Sequence, residues 1–342
     1  MSSRPLALST GDPGGVGPEV ALRAAAELGG GDRCLIFGDA RALRQRALAL
    51  GVEPGRLHDV ARGAAAALPL GGMGLVDAGT PWDAEALRHA ATPAGGAAQL
   101  AALDAAIEVT LGGGARAIVT APMSKEAVHL AGHSFSGHTE HLARAAALAD
   151  DEVTMMFLGP RLRVALVTTH LSIRELPEAI TPGRVLRTIV HLAEALQSLA
   201  SGEVGVSPLV LVTGLNPHAG EAGLFGDEER RVIAPAIERA RARPPFSDGR
   251  VRLQGPLGAE TAFRQAASDA STAVVAMAHD QATIASKLLD WTQAVNVTWG
   301  LPFVRTSVDH GVAYDAAAAG TADARGMMSA FAMAQRLTQH SV

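Results

Sequence analysis

Short apolar segments alternate with longer amphipathic segments along most of this 342-residue chain. The short segments include CLIFG, RAIVTAP and RVALVTTH, and the longer ones, such as residues 97–111 and 181–199, repeat apolar residues at helical spacing. Parallel strands need a helical crossover between them, so this alternation predicts an α/β fold in which a mostly parallel sheet is covered by helices on both faces. The motifs change in character near residues 122–126, where we expect a domain boundary.

Composition narrows the class of protein. Hydrophobic residues make up 48% and charged residues 18% of the chain, as in a soluble globular protein. The net charge of -5 comes without a basic block, which argues against nucleic acid as a partner. The lone Cys34 excludes an internal disulfide framework and a multi-cysteine zinc site. No run approaches the ~20 apolar residues that span a bilayer, so we expect a cytoplasmic enzyme with no membrane partner.

Three apolar segments end in a histidine. VALVTTH ends at His170, LVLVTGLNPH at His218 and TAVVAMAH at His279. Ligands of open α/β sheets bind beyond the carboxyl ends of the strands, so these side chains are expected to converge there. Three imidazoles with an open fourth position make a catalytic metal site, which zinc, cobalt, nickel and manganese all accept. The alternative is that each histidine caps its own strand, and no HExxH or CxxC spacing decides between the two.

The segment SGHTEHLA, residues 136–143, places polar side chains ahead of a helical pattern. We expect Thr139 to cap that helix, and His138 to recognise a carboxylate or phosphate or to act as a general acid or base. Lys125, shortly upstream, would add positive charge. The alternative is a helix cap with a solvated His/Glu face and an exposed lysine.

Two further segments carry candidate residues. STGDPGGVGPE, residues 9–19, suits either a loop at the active site or a structural strand-to-helix turn, and it matches neither the Rossmann nor the P-loop fingerprint. Near the C-terminus, Arg305 has the fork geometry for phosphate or carboxylate, while Lys287 offers a compact charge and Asn296 further donors. The alternatives are an ion pair between Arg305 and Asp309 and a surface position for Lys287.

The longer motifs, taken in order, resemble those of one family. The 4-hydroxythreonine-4-phosphate dehydrogenase family has motifs similar to GDPGGVGPE, TAPMSKEAVHLAGHSFSGHTE, TTHLSIREL, GLNPHAGEAGLFGDEE, GPLGAETAF, MAHDQ and VNVTWGLPFVRTSVDHG, from about residue 5 to about residue 335. HLAGH and GLFGDEE also look like a paralogous branch that oxidises 4-phospho-D-threonate and 4-phospho-D-erythronate. The resemblance implies an isocitrate/isopropylmalate dehydrogenase-like fold of two αβα domains, residues 1–125 with about 300–342 and about 126–299, and an active-site cleft between them.

The resemblance also implies a reaction. Family members oxidise a phosphorylated 3-hydroxy acid with NAD and release carbon dioxide, so that 4-phosphohydroxy-L-threonine gives 3-amino-2-oxopropyl phosphate on the route to pyridoxal phosphate. The threonate and erythronate substrates would give dihydroxyacetone phosphate. The implied cofactors are NAD, with NADP as the alternative, and a divalent metal, which would be Zn, Mg, Co, Mn or Ni.

The family's site residues fall on the residues singled out above. The implied metal ligands are His170 and His218 of one subunit, with His279 supplied by its partner, so that a homodimer shares its metal site. Substrate contacts fall on His138, Thr139, Lys287, Asn296 and Arg305. The catalytic candidates are His138, Lys287 and Asp280, and the residues that bind the dinucleotide are not legible in the sequence.

The sequence also departs from the family pattern. Ala278 and Ala282 stand where Tyr and Gly are usual, and Glu260 stands where Asp is usual. These departures bear on the exact substrate more than on the reaction class. Two other functions stay open: a metal-dependent hydrolase that releases phosphate without NAD, and a metabolite-binding protein that has lost turnover.

Overall fold

The computed structural model describes residues 4–27, 32–62, 68–200 and 207–339. The strands in these ranges are, in chain order, β1 (Leu6–Ser9), β2 (Cys34–Gly38), β3 (Leu57–Asp59), β4 (Met73–Asp77), β5 (Ala117–Thr120), β6 (Thr154–Leu158), β7 (Arg163–Leu166), β8 (Leu209–Thr213), β9 (Arg252–Leu257), β10 (Thr272–Ala276), β11 (Val295–Trp299) and β12 (Val304–Ser307). The helices are α1 (Gly17–Ala26), α2 (Ala40–Ala49), α3 (Pro93–Leu111), α4 (Lys125–Leu130), α5 (His138–Ala145), α6 (Leu176–Ala179), α7 (Pro182–Ala200), α8 (Ala234–Arg241), α9 (Ala259–Ser268), α10 (His279–Asp290), α11 (Tyr314–Ala319) and α12 (Arg325–Thr338).

The chain forms two compact units, Met1–Asp150 with Leu301–Val342, and Asp151–Gly300. The first unit extends to Asp150 and does not end near residue 125, because Val128, Phe135 and Leu142 are buried in its core. His138 and Thr139 therefore belong to the first unit, whereas the resemblance placed them in the second domain.

In the first unit the strands lie in the order β3-β4-β2-β1-β5-β12, and all neighbours are parallel. Every residue of β1 and β2 is buried, as expected for apolar strands covered on both faces. Helix α3 begins at Pro93 because the Thr92 hydroxyl accepts a hydrogen bond from the Gly95 backbone and proline tolerates the first helical position. The predicted helix over residues 97–111 lies within α3.

In the second unit the order is β11-β6-β7-β10-β8-β9. The pairs β11–β6 and β6–β7 are antiparallel, and the remaining pairs are parallel. A short loop, residues 159–162, joins β6 to β7, and a loop of this length can link only antiparallel neighbours. The predicted α/β fold is confirmed, with these two pairs making the strand arrangement mixed. Helix α7 matches the segment predicted over residues 181–199.

The parallel part of the second unit fixes where the histidine segments emerge. The strands β7, β10 and β8 are consecutive neighbours, so their carboxyl ends share one edge of the sheet. His170, His279 and His218 follow these three strands, respectively.

None of the helices in the described ranges is both long and apolar enough to cross a bilayer.

Candidate active site

The first unit holds a buried guanidinium on its sheet. Arg305 lies on β12 and is 3% exposed. Its Nε and Nη2 atoms donate to the hydroxyl oxygen of Thr120, at 3.1 and 2.8 Å, from the neighbouring strand β5. Burial lowers the pKa of Arg305 to about 10, and the negative charge of Glu140 opposes that shift. The side chain therefore stays charged at neutral pH in a site poor in water, which favours an anionic ligand.

His138 is the first residue of α5, in the same unit. Its Nε2 atom is buried and has no hydrogen-bond partner among the described residues. Burial lowers the pKa of His138 well below its ordinary value of 6.5, and the positive charges of Arg305, His141 and Lys125 lower it further. The imidazole is therefore neutral at pH 7, so it offers a hydrogen bond or a base and not a positive charge.

The start of α5 differs from the expected one. Gly137 is the N-cap and Thr139 is the second helical residue, so the prediction that Thr139 caps the helix is wrong. The backbone of Gly137 is extended, and the helix begins two residues earlier than a threonine cap at position 139 would require. Lys125 is exposed. It lies near this turn, because a Cβ atom added to Gly137 would be 3.7 Å from the Nζ atom of Lys125.

In the second unit two of the predicted ligands lie side by side. The ring centroids of His170 and His279 are 5.3 Å apart. This proximity follows from the parallel pairing of β7 with β10, which brings their carboxyl ends together. The Nδ1 atom of His279 is 2.8 Å from the Asp280 carboxylate, so Nδ1 carries the proton and Nε2 keeps its lone pair. Histidines that bind metals commonly have such a carboxylate on the other ring nitrogen.

His218 lies on a different kind of backbone. Residues 218–222 all have positive φ, and four of the five are not glycine. Left-handed backbone costs roughly 1–2 kcal/mol for each such residue, so this turn must be held by its surroundings. The His218 ring is exposed, with its centroid 6.4 Å from that of Phe225.

The described residues of one chain do not form a complete set of metal ligands. They contain no group of three or more His, Cys, Asp and Glu side chains placed to hold an ion. The adjacent imidazoles of His170 and His279, with Asp280 on the outer nitrogen of the latter, have the donor chemistry that a divalent cation needs. The assignment of His218 as the third ligand stays a prediction.

The remaining predicted residues of the second unit lie on α10 and β11. The Nζ atom of Lys287 is 5.5 Å from the ring centroid of Trp291, one turn later on an exposed part of the chain. Asn296 is half-buried on β11, and its Oδ1 atom has no hydrogen-bond partner among the described residues. Asp280 is exposed and contacts His279, which gives it a supporting position beside a proposed ligand.

The glycine-rich segment of residues 9–19 fits the structural alternative. A Cβ atom at Gly11, where φ is +68°, would lie 2.1 Å from the carbonyl oxygen of Pro122. At Gly14 it would lie 2.0 Å from the carbonyl oxygen of Arg88. Close packing against the protein's own backbone thus accounts for glycine at both positions.

That segment also holds a buried carboxylate that the sequence reasoning did not single out. Asp12 is 1% exposed and accepts hydrogen bonds from the Tyr314 hydroxyl at 2.8 Å, the Gln99 amide at 3.1 Å and the Gly14 backbone at 2.9 Å. Burial raises the pKa of Asp12, and these three donors partly offset the shift.

The sequence analysis did not single out Thr120, Gln281 and Glu229 either. The only sequence signal for them was a polar residue next to a strand end or a histidine motif.

Buried polar groups at the ends of strands in an α/β fold are typical of the class of proteins that bind small ligands beyond the carboxyl ends of the sheet. Residues 31–334 match the family model described as pyridoxal phosphate biosynthetic protein PdxA. The 4-hydroxythreonine-4-phosphate dehydrogenase of Desulfosudis oleivorans is 39% identical, over 98% of this chain and 96% of the relative. The D-threonate 4-phosphate dehydrogenase of Salmonella typhimurium is 38% identical, over 98% and 100%.

A solved structure agrees with these relatives. The 4-hydroxythreonine-4-phosphate dehydrogenase of Klebsiella pneumoniae superposes with a TM-score of 0.79 at 35% identity, covering 98% of this chain and 100% of that one. The chain belongs to the PdxA family and is an oxidoreductase.

Proposed function

We propose that this protein oxidises and decarboxylates a small phosphorylated 3-hydroxy acid, with 4-phosphohydroxy-L-threonine as the first candidate. The hydride and one proton leave the substrate's secondary alcohol to give a β-keto acid and reduced nicotinamide. Loss of carbon dioxide then gives 3-amino-2-oxopropyl phosphate. Family membership, with two relatives that are named for phosphorylated four-carbon acids, supports the substrate class.

The observation that carries the proposal is the adjacent pair His170 and His279, with the Asp280 carboxylate on the second ring. We assign the metal ligands to His170, His218 and His279. The adjacent pair His170 and His279 lies within one chain, whereas the resemblance implied that His279 comes from the partner subunit. A divalent cation held by these residues would supply Lewis-acid polarisation of a substrate oxygen atom. Asp280 keeps the His279 proton on Nδ1, which leaves Nε2 as the ligand atom.

The first unit contributes anion recognition in this proposal. Arg305 presents its guanidinium to the phosphate or carboxylate, and Thr120 holds that side chain in place. His138 is neutral, so it donates or accepts one hydrogen bond at the substrate. Thr139, Lys287 and Asn296 complete the proposed substrate contacts.

NAD is the proposed hydride acceptor, with NADP as the alternative, and hydride acceptance is the chemistry that it supplies. The isocitrate/isopropylmalate dehydrogenase-like assignment of the fold is part of this proposal and rests on the family resemblance. The cytoplasmic location stays a prediction from the sequence.

A homodimer is the proposed assembly, because large apolar side chains are exposed in the segments that follow the three histidines. They are Leu171 and Ile173 after His170, Leu224 and Phe225 after His218, and Ile284, Leu288 and Trp291 after His279. Apolar side chains concentrated in this way mark a surface that another protein surface covers. A second copy would bury them and would bring a further set of imidazoles.

A substrate panel tests the proposal. Purified protein is mixed with Mn²⁺ and NAD or NADP, and then with 4-phosphohydroxy-L-threonine, 4-phospho-D-threonate or 4-phospho-D-erythronate, while nicotinamide reduction and carbon dioxide release are recorded. Reduction of the nicotinamide with release of carbon dioxide supports the proposal. The substrate that is oxidised fastest shows to which branch of the family the protein belongs. A lack of reduction with all three substrates contradicts it, and release of phosphate without NAD would favour the hydrolase.

The second candidate substrate is 4-phospho-D-threonate or its erythronate counterpart, which would give dihydroxyacetone phosphate. The Salmonella typhimurium relative, 38% identical and named for D-threonate 4-phosphate, favours it specifically. The substrate panel separates this candidate from 4-phosphohydroxy-L-threonine because each is supplied in its own reaction.

A further inference from the structure

One half-buried amide links the ends of two strands that precede histidines. The Oε1 atom of Gln281 accepts hydrogen bonds from the backbone N–H groups of Met277 and Ala278, at 3.0 and 3.1 Å, just after β10. Its Nε2 atom donates to the carbonyl oxygen of Gly214 at 3.2 Å, just after β8. The Thr213 hydroxyl donates to the same Oε1 at 3.4 Å. A single side chain thus bonds the backbone that leads to His279 and the backbone that leads to His218.

The third strand end joins the same network. The Thr168 hydroxyl, two residues before His170, donates to the carbonyl oxygen of Met277 at 2.6 Å. The Val167 backbone N–H also donates to the carbonyl oxygen of Ala276, at 2.9 Å. The ends of β7, β10 and β8 are therefore connected laterally by buried and half-buried hydrogen bonds in addition to the sheet ladder.

A buried carboxylate extends the network along the His218 segment. Glu229 is 5% exposed. Its Oε1 atom accepts from the backbone N–H groups of Leu215 and Asn216, at 2.9 and 2.8 Å, and its Oε2 atom accepts from the Asn216 side-chain amide at 3.0 Å. This carboxylate holds the chain immediately before the left-handed turn of residues 218–222.

Glycine makes room for that carboxylate on both sides. A Cβ atom at Gly214 would lie 2.9 Å from Oε1 of Glu229, and one at Gly220 would lie 2.6 Å from Oε2. The Glu229 side chain is therefore enclosed by the segment that it holds. Because the turn adopts unfavourable φ values, it needs such fixed contacts to keep one conformation.

We propose that Gln281 and Glu229 are positioning residues for the metal-binding histidines. Gln281 fixes the backbone before His279 relative to the backbone before His218, and Glu229 fixes the start of the turn that carries His218. In this proposal both side chains act through the backbone that precedes a histidine and not as metal ligands. The inference rests on the proposed function, because it takes the histidines to be ligands.

Two isosteric substitutions test it. Gln281→Glu keeps an acceptor for Met277 and Ala278 but sets a second carboxylate oxygen against the carbonyl oxygen of Gly214. Glu229→Gln keeps one acceptor but turns an amide N–H₂ toward a donor. The matched controls are Gln265→Glu on α9 and Glu238→Gln on α8, which make the same chemical changes at exposed positions.

The readouts are the affinity for Co²⁺ by calorimetry, the visible absorption spectrum of the cobalt protein, and the thermal unfolding and oligomeric state of the metal-free protein. We expect each test variant to weaken Co²⁺ binding on the order of tenfold and to change the cobalt spectrum, as happens when support of metal ligands is lost. Both controls should match the wild-type protein. Wild-type affinity and spectrum in both folded test variants would overturn the inference.

A milder variant keeps the test decisive if either of these fails to fold. Thr213→Val has nearly the same shape and removes only the hydroxyl hydrogen bonds to Gln281 and Met277. We expect it to weaken Co²⁺ binding by a smaller factor than Gln281→Glu, and an unchanged affinity and spectrum would again overturn the inference. If the wild-type protein itself binds no Co²⁺, Mn²⁺ or Zn²⁺, the proposed function fails instead, and the two failures are told apart.

Discussion

The polar groups of the two units differ in how far they are shielded from water. In the first unit Arg305 is 3% exposed and the Nε2 atom of His138 is buried, whereas His170 and His218 of the second unit are exposed. The histidine segments of the second unit also expose large apolar side chains. The first set is thus buried by the packing of a single chain, whereas the second set is exposed beside apolar side chains, as the proposed metal site and the proposed dimer would require.

The largest expected effect concerns the exposed histidines of the second unit. His218→Ala should lower the rate with every active substrate by at least about a hundredfold, because a ligand is removed outright where loss of a mere supporting group already costs 10–100-fold. Folding and dimer formation should be retained, since the side chain is exposed. Steady-state rates, metal content and sedimentation measure the outcome, with His133→Ala as an exposed control in the first unit. A variant with full rate and full metal content would remove His218 from the ligand set.

The next largest effect concerns buried Arg305 of the first unit. Arg305→Lys should raise KM by about tenfold, roughly 1.4 kcal/mol, because a point charge cannot reproduce the two-pronged contact of a guanidinium. The variant also loses the paired donation to Thr120. Initial rates over a range of substrate concentrations measure it, and Arg264→Lys on the exposed face of α9 is the matched control. An unchanged KM would show that Arg305 serves the first unit's packing alone.

The free energy of unfolding should also depend on pH because of buried His138, and this effect is of intermediate size. The folded-state pKa of His138 is depressed, so the unfolded chain takes up this proton below about pH 6.5 while the folded chain does not. The free energy of unfolding is therefore highest above that pH and falls as the pH drops, by at most about 1.4 kcal/mol per pH unit from this group. Denaturant unfolding between about pH 5 and about pH 7, a range that includes the ordinary histidine pKa, measures the slope.

His138→Gln should flatten this dependence, whereas His133→Gln at an exposed position should leave it unchanged. The pKa of His191 is also lowered by burial, but His191 is present in all three proteins and cancels in the difference. Equal slopes in the wild-type protein and His138→Gln would contradict the burial of this imidazole.

The smallest effect concerns the turn that carries His218. Ala222 has φ of 58°, so Ala222→Gly should relieve strain of roughly 1–2 kcal/mol and lose part of it to the greater freedom of glycine in the unfolded chain. We expect a net gain of about 0.5 kcal/mol in the free energy of unfolding. Ala267→Gly within α9 should have the opposite sign, with a loss of about 1 kcal/mol. A loss in Ala222→Gly would mean that the turn is not left-handed.

The fold was predictable because it depends on periodicity. The apolar runs and the helical spacing of residues 97–111 and 181–199 were enough to predict an α/β protein and two of its long helices. The end of the first unit was not predictable, because burial of Val128, Phe135 and Leu142 is decided by tertiary packing. The cap of α5 was misassigned for a similar reason, since Gly137 competes with Thr139 and the backbone favours the glycine.

The candidate site was predictable only where the residue type and its position indicate a chemical role. Histidines at strand ends and an arginine after a short apolar run could be found, and Arg305, His170 and His279 lie at strand ends or on a strand. The hydroxyl of Thr120, the amide of Gln281 and the carboxylate of Glu229 could not be found, because their partners are backbone and side-chain atoms distant in sequence. The left-handed turn could not be predicted either, since the Ala and Glu residues in it carry no preference for positive φ.

Tyr314 is the single tyrosine of the chain, and its hydroxyl donates to the buried carboxylate of Asp12. Burial raises the pKa of this phenol above its ordinary value of 10. The protein therefore carries a native chromophore at the junction between its first loop and its last helices. Ultraviolet difference spectra in alkali would follow the opening of that junction without any label.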